Sequence, residues 1–470
     1  MKYELVVGLE THVELATKTK IFCGCTTAFG GAPNTHCCPI CTGQPGTLPV
    51  LNKRVIEYGI RAGLATHCSI NTVTHLDRKN YCYPDLPKAY QISQFDKPLC
   101  YNGYVELESG KRIRIKRIHV EEDAGKLVHE RGYTFVDYNR GGVPLIEIVA
   151  EPDVSSPEEA REYVERLQQI MRYVGVSDCR MQEGSMRCDI NISVREAGTT
   201  AFTTRTEIKN MNSVNFMEKA IAYEFERQKE VYSSGGKIEQ ATLRYDEHTG
   251  ETYPMRTKED AQDYRYFPEP DILTVNIPES YIESVKASLP ELPLEKLRRY
   301  TAELGIPEAN ARLIVKYKAV ADYFEKAVSL GASARRAANM IVGNIYASIA
   351  TEDEKEKFQI AVSAEEFAKL IRLTDEGKIN TTMAQITLGK LLENGGAVED
   401  YISMEELAGM GEDDLRRICE EAIAASPKAV TDFKAGKEKA ISAMFGYVKR
   451  ATQGKADIRK AEAIIRSLLQ

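Results

Sequence analysis

Three stretches of this chain carry carboxylates at positions flanked by the apolar alternation of buried strands, and they restrict its fold more than any other feature. The segment LIEIVAE is the plainest. As a strand with a period of two, it sets Leu145, Glu147, Val149 and Glu151 on one face and Ile146, Ile148 and Ala150 on the other. The second face belongs to a core, so two acids point together to the opposite side. A single strand glutamate normally marks a solvated face. Here the pattern recurs. Near the N-terminus, YELVVGLETHVEL puts Glu10, His12 and Glu14 on one face, and MRCDINISV does the same for Arg187, Asp189 and Asn191. Upstream of LIEIVAE, KRIHVEEDAGK adds Glu121, Glu122 and Asp123, and Gly141 and Gly142 precede the strand. Acids gathered this way raise one another's pKa unless a cation lies among them. The expected result is an acidic wall around a divalent cation, and oxygen ligands with one imidazole suit Mg²⁺ or Mn²⁺ better than Zn²⁺.

A chain of 470 residues exceeds one ordinary core, so two or three domains are expected. Residues 1–290 mix strand alternation with two helix patterns, from Pro157 to Val174 and from Asn215 to Ser233. The first opens on a serine cap with acids in its first turn and closes on Gly175. From Pro290 onward apolar residues recur at three- and four-residue spacing, which predicts a helical domain over 291–402 and a helical tail over 403–470. The fold class is therefore α+β, a mainly antiparallel sheet domain followed by all-α parts. The net charge of −7 is unevenly distributed. From Ser426 to Gln470 ten Lys or Arg face four acids, a basic tail suited to a phosphate backbone. A solvated helix face explains such a run equally well. No stretch has the length of a membrane span, and MKYELVVGLE lacks the basic start and long apolar run of a signal peptide. The expected location is the cytoplasm, with cysteines as thiols or metal ligands.

Two close cysteine pairs, Cys23 with Cys25 and Cys38 with Cys41, are joined by a loop containing Gly and Pro. Four thiolates can enclose one structural Zn²⁺ and leave no open position. Cys37 or His36 can substitute for one ligand, and the six remaining cysteines read as core residues. Between the acid stretches, THLDRKNYCYPDLPKAYQISQFDKPL shows little regular period but concentrates aromatics and charges. Its Arg78, Lys79 and Lys88 can hold nucleotide phosphates, and its tyrosines can stack on a base. In TRTEIKNMNSV, Arg205, Glu207 and Lys209 alternate on one face, adding cations around the basin. The run SSGGK at Ser233 lacks phosphate-loop spacing and follows a helix, so it reads as a helix end. No Cys-His or Ser-His-Asp nucleophile for glutamine hydrolysis is evident.

With these residues assembled, the chain resembles the B subunit family of bacterial glutamine-dependent aspartyl/glutamyl-tRNA amidotransferases. The matching segments include GLETHVEL, the FCGC and CPIC pairs, DRKNYCYPDLPKAYQISQFDKP, HVEEDAGK, GGVPLIEIVAEPD, EGSMRCDINIS, TEIKNMNS and DYRYFPEPD. The resemblance implies a cradle domain related to the glutamine synthetase fold, then two helical domains that embrace tRNA. It implies ATP and Mg²⁺ binding and phosphorylation of the side-chain carboxylate of Glu on tRNA(Gln) or Asp on tRNA(Asn). Ammonia from a partner amidase (A) subunit then forms the amide, and a small C subunit completes the complex. Carried to this chain, it implies Glu10, His12, Glu122 and Glu147 as metal ligands and catalytic residues, with Glu151 and Asp189 as further candidates. A zinc-containing tRNA-binding scaffold without an active site is the alternative, but it gives no reason for the inward acids. A metal-dependent ligase acting on a free amino acid gives no reason for the basic tail.

Overall fold

The computed structural model describes residues 3–257, 263–402, 412–452, 456 and 458–469. The chain divides into two compact units, Met1–Leu292 and Pro293–Gln470. The first is mixed α/β and is built on a nine-stranded sheet. In chain order its strands are β1 (Tyr3–Glu14), β2 (Ser69–Ile70), and, after short strands of which β3 and β4 are treated below, β5 (Cys100–Glu106), β6 (Arg112–Glu122), β7 (Pro144–Ala150), β8 (Met186–Glu196), β9 (Thr206–Met211), β10 (Ala241–Asp246) and β11 (Glu251–Thr257). They lie side by side as β11-β10-β9-β8-β1-β7-β6-β5-β2. The two short strands are β3 (Asp77–Asn80) and β4 (Tyr90–Ser93), which pair with each other, while β3 also pairs with Phe267–Pro268. The polar segment that showed no clear period is thus a small sheet of its own.

Alternation decides the two faces of the large sheet. Leu5, Val7, Leu9 and Val13 of β1, Ile146 and Ile148 of β7, and Met186, Cys188, Ile190 and Ile192 of β8 enter one core. Helices α1 (Lys53–Ala65), α2 (Pro157–Tyr173) and α3 (Val214–Ser233) contribute to that core, as does Val285 of the later helix Glu279–Ala287. Helix α1 runs close to its neighbours because two positions have no side chain. A Cβ on Gly59 would lie 2.4 Å from Leu99 Cδ2, and one on Gly63 would lie 2.5 Å from Cys100 Sγ. Helix α2 begins where Ser156 accepts the Glu159 amide and ends before Gly175, which has φ +70°.

One irregularity matters for the site. In β6, Ile113 and Ile115 face the core, but so do Ile118 and Val120. The register against β7 skips one residue between Arg117, opposite Val149, and Ile115, opposite Ala150. Lys116 is the extra residue of a β-bulge, and the inward-facing parity of the strand changes there from odd to even.

Strands β9 and β10 are parallel, and α3 makes the crossover between them. Its fully buried Glu224 fixes the helix to the sheet. One oxygen accepts Thr206 Oγ1 at 2.9 Å and Gln228 Nε2 at 2.9 Å, and the other accepts Thr252 Oγ1 at 2.9 Å. Arg227 bonds both oxygens, at 2.7 and 2.8 Å. Burial pushes this carboxyl up, but the hydrogen bonds from Arg227, Gln228 and Thr252 outweigh it and hold the group below its ordinary value.

The second unit is helical. Pro293–Ala302, Glu308–Val315, Lys318–Ser329, Ala334–Met340, Ala364–Asp375 and Thr381–Asn394 are its principal helices before residue 402. The expected boundary at 403 falls at the edge of residues 403–411, outside the described residues. Beyond it, Glu412–Ala424, Pro427–Lys434, Ser442–Ala451 and Ile458–Leu469 share a separate core that includes Leu415, Met444, Val448 and Ile465. Lys455 of the basic tail lies outside the described residues. No described helix is long and apolar enough to cross a membrane.

Removing the Glu224 carboxylate leaves its partners buried without an anion, so Glu224→Ala should cost about 3 kcal/mol, read from urea unfolding of the sheet unit. The depressed pKa fixes the sign of the pH dependence. The contribution is present above the ordinary carboxylate pKa and is lost as pH falls through the lower folded value. The gap between wild type and variant should therefore shrink on acidification, and a constant gap would contradict the assignment.

Candidate active site and metal centres

The face of the sheet opposite the helices carries the acids. Strand register places Arg187, His12, Glu147 and His119 directly abreast on β8, β1, β7 and β6. Opposed strand residues are within side-chain reach, so this row is a contact row. His119 Nε2 stands 3.0 Å from Glu121 Oε1 and 3.3 Å from Glu147 Oε2, and His12 Nε2 stands 3.5 Å from the same Glu147 oxygen. From β4, Ser93 Oγ donates to Glu121 Oε1 at 2.8 Å and Gln91 Nε2 donates to Glu121 Oε2 at 3.1 Å.

These contacts decide the charge states. Burial alone would protonate Glu121, as would the charge of Glu147; His119 and Lys79 oppose this and bring its pKa down to about 2. Glu147 is likewise held well below the ordinary range, against burial, by His119 and His12. Burial pushes His119 down, but Glu147 and Glu121 raise it to about 9. Lys79 projects from the small sheet, 5.1 Å from the centre of the Tyr264 ring. Burial works against its charge, and the field of Glu121 more than restores it. The result is a desolvated set of two anions and three basic groups, with ligand atoms of His12, Glu121 and Glu147 all within 4.8 Å of one another. One imidazole nitrogen and two carboxylate oxygens fit a divalent cation that retains open positions.

Glu10 and Asp189 occupy the adjacent row, paired across β1 and β8. Asn191 donates to Glu10 at 2.9 Å, and the Glu10 carboxyl is pushed up by burial and by Glu147. Lys209 lies 3.7 Å from Asp189 and 3.2 Å from Glu207. Several of the expected residues have other partners. Glu122, expected among the ligands, turns away, pairs with Lys88 and accepts the Ile92 amide at 2.9 Å. Glu121 stands beside His12 and Glu147 instead, because it shares with His119 the face opposite Ile118 and Val120. Glu151 does not join the cluster, and its amide bonds the Arg114 carbonyl. Arg78 is bound to Glu269 at 2.7 Å and Asp271 at 3.1 Å beside the Tyr90 ring. Lys88 is held by Glu122, and Arg205 is exposed ahead of β9. Sequence reasoning missed His119 altogether, although its alternation with Ile118 and Val120 was the signal available.

Cys23, Cys25, Cys38 and Cys41 bring their sulfurs within 4.8 Å of one another. A tetrahedral centre with metal–sulfur bonds of about 2.3 Å has sulfur–sulfur edges of about 3.8 Å, so this set fits a closed four-thiolate site. The Cys38 amide donates to Cys41 Sγ at 3.1 Å. Hydrogen bonding from Cys23 is the main cause that lowers the Cys41 thiol to about 4. Cys37 stands outside the set and donates to the Asn34 carbonyl, and His36 does not join it. Of the cysteines read as core residues, Cys82 is exposed.

The chain is similar to known proteins over its whole length. Residues 5–283 match the family profile described as the GatB/GatE catalytic domain, and residues 322–469 match the one described as the GatB domain. A relative from Thermoanaerobacter sp. (strain X514), the B subunit of an aspartyl/glutamyl-tRNA(Asn/Gln) amidotransferase, is 50% identical over 474 residues covering 100% of both chains. Proteins of the same name from Caldicellulosiruptor saccharolyticus and Clostridium botulinum are 49% and 47% identical, over 100% and 97% of each chain.

Replacing Glu147 by Gln removes the anion that both histidines share. Mn²⁺ affinity, followed by the loss of the free-ion electron paramagnetic resonance signal, should fall at least about tenfold. Unchanged affinity would place the cation elsewhere.

Proposed function

The chain belongs to the family of aspartyl/glutamyl-tRNA(Asn/Gln) amidotransferase B subunits, and from that premise we propose how its charged sheet face carries out the chemistry. The side-chain carboxylate of Glu on tRNA(Gln), or of Asp on tRNA(Asn), attacks the γ-phosphorus of ATP. ADP leaves and an acyl phosphate remains. Ammonia adds to the activated carbonyl, phosphate departs, and the nitrogen sheds a proton to give the amide. Phosphorylation is needed because a bare carboxylate offers only oxide as a leaving group.

The observation that carries this reading is the convergence of His12, Glu121 and Glu147 opposite Lys79. Bound by those three side chains, Mg²⁺ or Mn²⁺ would neutralise charge on phosphoryl oxygens. His119 positions both carboxylates, and Gln91 and Ser93 fix Glu121 from the neighbouring sheet. Lys79 faces the same space as a preorganised cation for anionic oxygens. Lys209, beside Asp189 and Glu10, provides a second cation on the flank. Glu10 and Asp189 extend the acidic floor and are further candidates for the metal. Arg78 and Lys88 are engaged by carboxylates, so they shape the walls of the site, and Arg205 remains available at the rim.

The four-cysteine set holds a structural Zn²⁺. Residues 1–290 form the catalytic cradle, related to the glutamine synthetase fold, residues 291–402 a helical domain, and residues 403–470 the tRNA contact. Lys428, Lys434, Lys437, Lys439, Lys449 and Arg450 give that tail its positive charge. An amidase A subunit supplies ammonia and a small C subunit completes the enzyme, in the cytoplasm.

Two measurements test this reading. With the partner subunits, ATP, mischarged tRNA and ammonium as donor, Glu121→Gln should lower both ADP release and amidated tRNA by about a hundredfold or more, with tRNA affinity unchanged. Product formation at the wild-type rate would move the chemistry away from this face. Deleting residues 403–470 should weaken tRNA binding and flatten its salt dependence while metal binding persists. Full tRNA affinity in the deletion would refute a tail contact.

A further inference from the structure

Lys20 is completely buried in the segment that follows β1. Its ammonium lies 3.6 Å from Cys41 Sγ and donates to the Tyr138 carbonyl at 3.1 Å. Among the described residues no carboxylate comes within 4.0 Å of it. Glu122 lines the same cavity, but its charge is taken by Lys88. A buried ammonium without an anion is strongly unfavourable, so Lys20 needs a counter-charge nearby. Four thiolates around a divalent ion supply one, since the centre carries a net charge of −2. The geometry is that of a charge-assisted N–H to sulfur contact beside the Cys38 amide, which reaches the same sulfur.

We propose that Lys20 is the counter-cation of the four-cysteine centre and the strut that joins it to the loop entering β7. The strut is continuous. Lys20 holds the Tyr138 carbonyl, the next residue Ile21 donates its amide to the Gly142 carbonyl at 3.0 Å, and β7 begins at Pro144. Partial neutralisation of Cys41 reduces repulsion among the thiolates and slows loss of the metal. Lys20 acts through the cysteine and is a positioning residue. The proposal rests on the zinc reading above.

The full-length chain, purified with its partner subunits, is assayed for zinc by mass spectrometry. It is then exposed to a chromogenic chelator to follow release. Lys20→Met should release zinc about 10- to 100-fold faster than wild type. In the Co²⁺-substituted protein, the thiolate-to-metal charge-transfer band should shift. Lys18→Met, which removes an exposed charge from the same segment, should behave as wild type. Lys20→Gln keeps a donor for Tyr138 without the charge, and it gives the same answer should the apolar variant fail to fold. Wild-type release rates and an unmoved band in both Lys20 variants would overturn the role of Lys20 while leaving the zinc reading intact. A wild-type chain that carries no zinc would overturn that reading, and this proposal with it.

Discussion

Two carboxylates converging on one buried imidazole are the interaction on which the sheet unit is organised. Glu121 and Glu147 cannot both remain charged in a desolvated site unless cations lie between and around them. His119 stands between, His12 beside, and Lys79 opposite. Each comes from a different strand, so the row exists only when β1, β7, β6 and the small sheet are all in register. The charged face is therefore a consequence of tertiary pairing, and its energetic cost is borne by the apolar face. There the packed helices and the inward residues of the same strands build the core.

Much of this was legible in the sequence, because strand parity is a strong signal. Ile146 and Ile148 against Glu147, and Leu9 and Val13 against Glu10 and His12, announce two faces and place the acids together. The helical character after Pro290 follows from spacing in the same way. What parity cannot reveal is an inserted residue. Read straight through from Ile113, the alternation of β6 sends His119 and Glu121 into the core. Only the bulge at Lys116 brings them to the charged face. Glu122, which the resemblance rather than the alternation brought forward, lies on the other side of the strand end from Glu121 and pairs with Lys88.

The strands Asp77–Asn80 and Tyr90–Ser93 escaped notice for a different reason. They pair with each other and with Phe267–Pro268 far along the chain, and their inward positions are polar: Asp77, Gln91 and Ser93. Hydrophobic alternation carries little information about such a sheet, since Gln91 and Ser93 are buried against Glu121 and Asp77 accepts the Phe95 amide. The cysteine set was legible from spacing, whereas Lys20 was not, because a lysine in sequence reads as surface. Its burial is visible only once the loop has closed on Cys41 and Tyr138.

The bulge also bears on how chains of this kind can diverge. Because Lys116 is the extra residue that reconciles the odd spacing of Ile113 and Ile118, loss of one codon between them removes the need for a bulge and leaves Ile118 and Val120 on the helix side, with His119 and Glu121 on the charged face. A two-codon change leaves the spacing odd, so a bulge is still required to keep Ile113 and Ile118 both on the helix side. The Glu106–Arg112 turn lies before the bulge and can vary in length while leaving the strand's frame untouched. Counting residues by parity thus separates indels that retain the bulge from those that dispense with it along this strand.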